Sequence, residues 1–267
     1  MSSDGRVSFT VTAGVAHLRL IRADARNAID PAMQDALAEA ATACATDPTA
    51  RVLLISADGP AFSVGGDLRH FASHTDDLAA AMATMIPSYH QTLARLANLD
   101  LPVVCAVQGA VAGGGLGLAW VADFLLAADD AVFATAFAQI GLSGDGSSSW
   151  FLPRLVGLRR AQELLLGGRT LNAAEALEWG LVTRVVPRAE LAAEASTLAT
   201  RLAAGPTVAL AQMRHLLRRS WGASLETQLA AEFSAMDTCS RSPDAREGIT
   251  AFVARRPPQF TGRRRSE

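Results

Sequence analysis

The 267-residue sequence contains no lysine, and all 24 of its basic residues are arginine. Schiff-base chemistry is thereby excluded, as is any nucleotide cradle that depends on a lysine ammonium. Cysteine is scarce as well. Cys44, Cys105 and Cys239 lie far apart, match no metal-ligand spacing and leave one thiol over in any disulfide scheme, so a reducing compartment and no metal site are expected. No apolar run approaches membrane-spanning length, and Met1 to Arg6 lack the apolar stretch of a signal peptide. The expectation is a cytoplasmic protein with no membrane partner. Neither charge is in excess. A formal net charge of -2 gives no broad basic face for nucleic acid, although Arg263-Arg264-Arg265 form a short basic tail.

What the chain does have is apolar content, 50% hydrophobic against 19% charged, enough to bury a full core. The pattern reads as one α/β domain with a helical appendage. Residues 7–19 alternate about Gly14 as a hairpin would, and 52–56 read as a buried strand. Between them, Asp30-Pro31 signals a helix start, with Asp as cap and Pro at the first position, leading to about Thr46. A second helix is expected over 76–96, broken or kinked near Pro87. Strands follow over 103–108 and 124–128, with a helix starting near Gly115 between them. Beyond Trp150 the apolar spacing is helical almost throughout, with starts at Asn172 and Pro206 and an extended piece over 183–186. The division expected is a core over 1–204 and a helical region over 205–267. Over 206–252 the helices are amphipathic, and their apolar faces either pack on another subunit or cover their own core.

The most informative stretch runs from Val107 to Ala119, Val-Gln-Gly-Ala-Val-Ala-Gly-Gly-Gly-Leu-Gly-Leu-Ala. It joins a strand to a helix through glycines with no charged side chain, so its reagent would be backbone N–H groups brought close to a ligand anion. It lacks the Gly-Lys-Ser/Thr ending of a phosphate loop and the Gly-x-Gly-x-x-Gly of a dinucleotide site. Such turns also serve merely to pack a helix tightly on a sheet.

Four stretches taken in order resemble the crotonase superfamily, the enoyl-CoA hydratase/isomerase family. They are Arg26-Asn27-Ala28-Ile29, Ala61-Phe62-Ser63-Val64-Gly65-Gly66-Asp67-Leu68, the glycine-rich run, and Arg246-Glu247-Gly248-Ile249-Thr250-Ala251-Phe252. The resemblance implies a β-β-α spiral core with a C-terminal helical trimerisation region, assembled as a homotrimer or hexamer. It implies an acyl-CoA thioester as ligand, with CoA part of the substrate and no separate cofactor. By motif position, the N–H groups of Gly66 and Gly114 would hold the thioester oxygen as negative charge develops on it. Arg26, Ala28, Val64, Gly65, Asp67, Arg69 and Arg255 would contact CoA or substrate, and Phe137 would help wall an apolar pocket.

The family's hydratases carry two glutamates at positions that here are Gly117 and Phe137. Water addition by that pair is therefore excluded. The next acid is Asp145, in a Gly/Ser-rich loop where the family's double-bond isomerases place a proton-shuttling Glu or Asp. Residues 136–157 and the closing 257–262 resemble the ring-epoxide isomerases of phenylacetyl-CoA breakdown in particular. Asp145 has a second reading, as the N-cap of a helix beginning near Ser147. His90 supports a different chemistry. In the family's 4-chlorobenzoyl-CoA dehalogenases, an Asp at the Asp145 position attacks the ring and a His at the His90 position activates water. Against that reading, the halide-contacting Trp falls at Phe137, and His90 also fits a polar surface position on a helix. Isomerisation is the leading expectation, (aryl)acyl-CoA hydrolysis through Asp145 and His90 the second, and a non-catalytic acyl-CoA-binding scaffold the third.

Overall fold

The computed structural model describes residues 5–262, so the arginine tail at 263–265 lies outside the described residues. Strands β1 (Val7–Thr12) and β2 (Val15–Leu20) form the expected hairpin. Its two turn residues, Ala13 at φ 50° and Gly14 at φ 81°, take the left-handed conformation that a tight hairpin turn requires. Helix α1 (Pro31–Thr46) starts where Asp30-Pro31 predicts. The Asp30 carboxylate accepts the Met33 N–H at 2.8 Å, and Met33, Leu37, Ala40, Ala41 and Cys44 line the buried face.

The chain continues through β3 (Val52–Ala57), the short α2 (Leu68–Ala72), α3 (Leu78–Ala97), β4 (Val103–Val107), β5 (Ala110–Ala112) and the five-residue α4 (Leu116–Trp120). Then come β6 (Phe124–Ala128), β7 (Val132–Ala134), α5 (Ser148–Leu155), α6 (Leu158–Leu165), β8 (Thr170–Asn172), α7 (Ala173–Glu178), β9 (Arg184–Val186) and α8 (Leu191–Ala203). Six strands make one sheet in the order β1-β2-β3-β4-β6-β9, parallel after the first hairpin, and β5-β7-β8 make a second, small sheet. From β4 to β5, from β6 to β7 and from β8 to β9, the chain steps between the two sheets, which winds it into a spiral.

The centre of the large sheet, β3, β4 and β6, is buried on both faces. Along β4, Val103, Cys105 and Val107 point into the main core, while Val104 and Ala106 point to the layer covered by α8, the alternation a strand imposes. The last three helices, α9 (Thr207–Arg219), α10 (Leu225–Ser240) and α11 (Pro243–Val253), follow the spiral. Buried Arg214 straps α9 to the core. Its guanidinium meets the Asp123 carboxylate at 2.6 Å and donates to the carbonyls of Leu96, Leu99 and Val121.

Two local expectations are corrected. Of the break or kink expected near Pro87, the break is absent from helix α3. The helix runs through the proline from Leu78, capped by Asp77, while residues 75–77 form a separate 3-10 turn. Proline removes one helical N–H, but Met85, Tyr89, Thr92, Leu93 and Leu96 bury one face of the helix across it, and this packing holds the helix together. The glycine-rich run is not a simple strand-to-helix turn either. It contains the strand β5, then a 3-10 turn at Gly113–Gly115, before the single short helix α4.

Candidate active site

Three of the four motif stretches lie side by side. The N–H of Val64 donates to the Arg26 carbonyl, that of Ile29 to Gly65 and that of Asp67 to Ile29, which docks residues 26–29 on 64–67. On its other side the second stretch pairs with β5, through Ser63 N–H to Ala110 and Ala112 N–H to Ser63. The approach is so close that a Cβ on Gly65, whose φ is +86°, would stand 2.9 Å from both the Ala112 oxygen and the Gly114 nitrogen. Only glycine fits there.

This packing brings two peptide N–H groups together. The Gly66 nitrogen is 3.9 Å from the point a Gly114 Cβ would occupy. The bridge to Ile29 uses the oxygen of Gly65 and the nitrogen of Asp67, so the Gly66 N–H takes no acceptor among the described residues. Gly114 sits in the first turn of its 3-10 segment, where N–H groups have no partner within the helix. Two unspent donors therefore share one small space.

Helix α3 faces them with consecutive residues. The Tyr89 hydroxyl donates to the Gly114 carbonyl at 2.6 Å, and Nε2 of His90 lies 2.5 Å from Oδ1 of Asp145. Tyr89 is the only tyrosine in the chain and is fully buried. Burial first, and then the nearby Asp145 carboxylate, hold its hydroxyl well above the ordinary tyrosine range, so it remains a neutral donor. Next to Asp145, Gly146 at φ +58° packs on Gly114, and an added Cβ would be 3.2 Å from the Gly114 oxygen. Asp145 does not cap α5. The N-cap position is Ser147, without a side-chain cap bond, and the Asp145 carboxylate turns to His90 instead.

His90 and Asp145 open onto a cavity of about 790 Å³ between α3, the start of α5 and α9. Its apolar wall is Leu93, Val121, Trp150 and Phe151. Phe137, expected to wall an apolar pocket, is not among the residues lining this cavity. It opens a 3-10 turn at 138–140 with its ring buried, and Leu142 N–H returns to its carbonyl. Gly66 and Gly114 are not on this wall either. Tyr89 and Gly146, chain neighbours of His90 and Asp145, pack on Gly114.

The other sequence-selected residues fall at the periphery. Arg26 is exposed at φ 52°, Ala28 is buried with its carbonyl taken by Arg22, and Val64 is half-buried. Arg69 and Arg255 are exposed, the latter just past α11. Asp67 serves the fold. It caps α2 by accepting the Arg69 N–H and pairs with Arg22 at 2.8 Å. Burial works to raise its carboxyl pKa, and the Arg22 and backbone hydrogen bonds more than offset this, leaving it below the usual carboxylate value. Sequence reasoning missed Arg22 and Tyr89. The one available signal for Tyr89 was a single tyrosine beside a selected histidine.

At Gly117, where a hydratase glutamate would stand, a Cβ would lie 2.7 Å from the Leu93 methyl and 2.8 Å from the Gly146 carbonyl oxygen. The position is closed by backbone as well as by sequence. Among the described residues, no group of three or more His, Cys, Asp or Glu side chains is placed to hold a metal ion.

Paired backbone donors and a nearby carboxylate are thus set in a spiral of β-β-α turns, and comparison with known proteins shows the family of the chain. The profile for enoyl-CoA hydratase/isomerase matches residues 10–263, and the chain belongs to that family, the crotonases. The 1,2-epoxyphenylacetyl-CoA isomerase of Escherichia coli K12 is 38% identical over 95% of this chain and 97% of its own length. A 4-chlorobenzoyl coenzyme A dehalogenase of an Arthrobacter species is 33% identical over 85% of the chain and 82% of its own. A Mycobacterium abscessus crystal structure described as an enoyl-CoA hydratase/isomerase superposes with a TM-score of 0.93 at 42% identity, covering 96% of this chain and all of that one.

Proposed function

We propose that this protein is an acyl-CoA double-bond isomerase in which Asp145 moves the proton. The observation that carries the reading is the combination of a closed Gly117 with an Asp145 carboxylate that meets His90 and whose chain neighbour Gly146 packs on Gly114. Asp145 takes a proton from the carbon next to the thioester of a 3-enoyl-CoA. The electron pair passes onto the thioester oxygen, which the Gly66 and Gly114 N–H groups receive as an enolate. Return of the proton to the far end of the conjugated system moves the double bond into conjugation with the thioester. Opening of a ring epoxide beside the same thioester uses the same oxyanion pair. The reading needs no metal or redox cofactor.

The test offers 3-enoyl-CoA to wild type and Asp145→Asn and follows the absorbance of the conjugated thioester. Loss of about 10²–10⁴-fold in kcat is expected of the variant. Equal rates would remove Asp145 as the base.

The short contact between His90 and Asp145 favours a second reading, hydrolysis through an Asp145 ester with His90 as the base. Phe137 stands against it, having no N–H to offer a halide. One turnover in heavy-oxygen water decides between them, because the ester route places a protein carboxylate oxygen in the product.

The same reading makes the protein a cytoplasmic homotrimer or hexamer. Leu225, Leu229, Phe233 and Met236 form an exposed apolar stripe along α10, continued by Ile249, Phe252 and Val253 on α11. Such a face is covered in an oligomer. Sedimentation at micromolar concentration is expected to give a trimer or a multiple of it, and a monomer would contradict this. In a reducing compartment the three cysteines remain thiols; burial, and Asp47 beside it, pushes Cys44 up to about 12.

A further inference from the structure

The cavity behind Asp145 is not uniformly apolar. It runs along α3 from His90 to Ala97 and Asn98, seven to eight residues or about 10–12 Å of helix. At the His90 end stands Asp145, the single carboxylate among its described lining residues. At the other end the wall is made by α9, which contributes Gln212, His215, Arg218 and Arg219.

The charges at that end do not balance. Arg214 and Arg218 share one carboxylate, Asp123, at 2.6 and 3.4 Å, and the rest of their hydrogen bonds go to neutral carbonyls of Leu96, Ala97, Leu99 and Val121. Burial and the neighbouring Arg214 bring the Arg218 pKa down to about 10, so it remains a cation at neutral pH in a place that disfavours one. The exposed Arg219, one residue on, lines the cavity, and its guanidinium makes no hydrogen bond or ion pair among the described residues. His215 is paired with Asp100 at 3.0 Å. An anion at this end would relieve an excess of positive charge, and the apolar side chains of Leu93, Val121 and Phe151 lie between it and Asp145.

We infer that the cavity receives an acyl group ending in a carboxylate, with Arg219 and Arg218 as its anchor and the reacting carbons near Asp145. This deepens the proposed function and rests on it for the placement of the acyl chain. The distal carboxylate then selects among thioesters by charge, while the apolar middle accepts the methylene chain or a ring.

Binding of two unreactive thioesters reads this directly. Octanoyl-CoA and its ω-carboxylated counterpart, suberoyl-CoA, are titrated calorimetrically into wild type, Arg219→Gln and Arg219→Lys. Suberoyl-CoA is expected to bind about tenfold or more tightly than octanoyl-CoA, as a charge-assisted hydrogen bond allows. Arg219→Gln is expected to lose most of that preference and Arg219→Lys to keep part of it. Equal Kd values for the two thioesters in wild type, or a preference that survives Arg219→Gln undiminished, would overturn the inference. No turnover is needed, so an inactive Asp145→Asn and a missing carboxylate preference are separate results. Failure of both thioesters to bind would strike the acyl-CoA reading itself and this inference with it.

Discussion

Residues 109–117 and 141–149 are both glycine-rich, yet the first is packed backbone against backbone and the second is open at one end. In the first, a Cβ on Gly115 would meet the Ser63 side chain at 2.6 Å, and one on Gly117 would meet the Gly146 carbonyl at 2.8 Å. In the second, Gly141 at φ +74° has nothing within 4 Å. The first stretch uses glycine because another chain segment occupies the space, and the chemistry proposed for it is that of the peptide group. The second uses glycine to turn, and the chemistry proposed for it belongs to a side chain, Asp145. Glycine count alone does not distinguish the two uses; the neighbours do.

The sharpest way to break this contrast is Gly117→Glu, which restores the hydratase residue. Because the Cβ itself collides with a backbone oxygen, destabilisation of about 1–3 kcal/mol or more is expected, read as a lowered Tm, with no hydration of 2-enoyl-CoA gained. A stable variant that hydrates would show the packed stretch to be less closed than its geometry says. A smaller effect is expected of Tyr89→Phe. Removing the hydroxyl from the Gly114 carbonyl costs about 1 kcal/mol of stability. If Tyr89 positions the donor peptide, kcat for isomerisation falls while KM stays. A change in Tm with unaltered kcat would confine Tyr89 to packing. Smallest is Gly141→Ala, where no atom is struck and only the left-handed backbone is disfavoured, at about 1 kcal/mol. Activity is expected to survive it. A large loss there would place the open end of the loop in the site.

Much of the spiral was legible because its signals are local. Asp30-Pro31 marks a helix start by cap chemistry, Gly14 marks a hairpin, and the strands at 52–57, 103–107 and 124–128 are apolar runs. The small sheet was not legible. Strands β5, β7 and β8 have three residues each, too few for periodicity, and exist because they find one another across the chain. The break expected at Pro87 failed for the same reason, since tertiary packing overrides the proline's local cost. At the candidate site, Gly66 and Gly114 came from motif position, as did the joint choice of His90 and Asp145, whose direct contact across 55 residues only the structure shows. The cationic end of the cavity escaped notice because arginines on the polar side of an amphipathic helix read as solvated charge until the helix is docked.

Tyr89 has an optical consequence. With the only tyrosine buried against Gly114 and its hydroxyl pKa raised by that burial, the folded protein is expected to show no tyrosinate absorbance in the range where free tyrosine ionises. The appearance of that band in an alkaline titration is therefore expected to report, from one atom hydrogen-bonded to Gly114, the moment at which α3 parts from the glycine run.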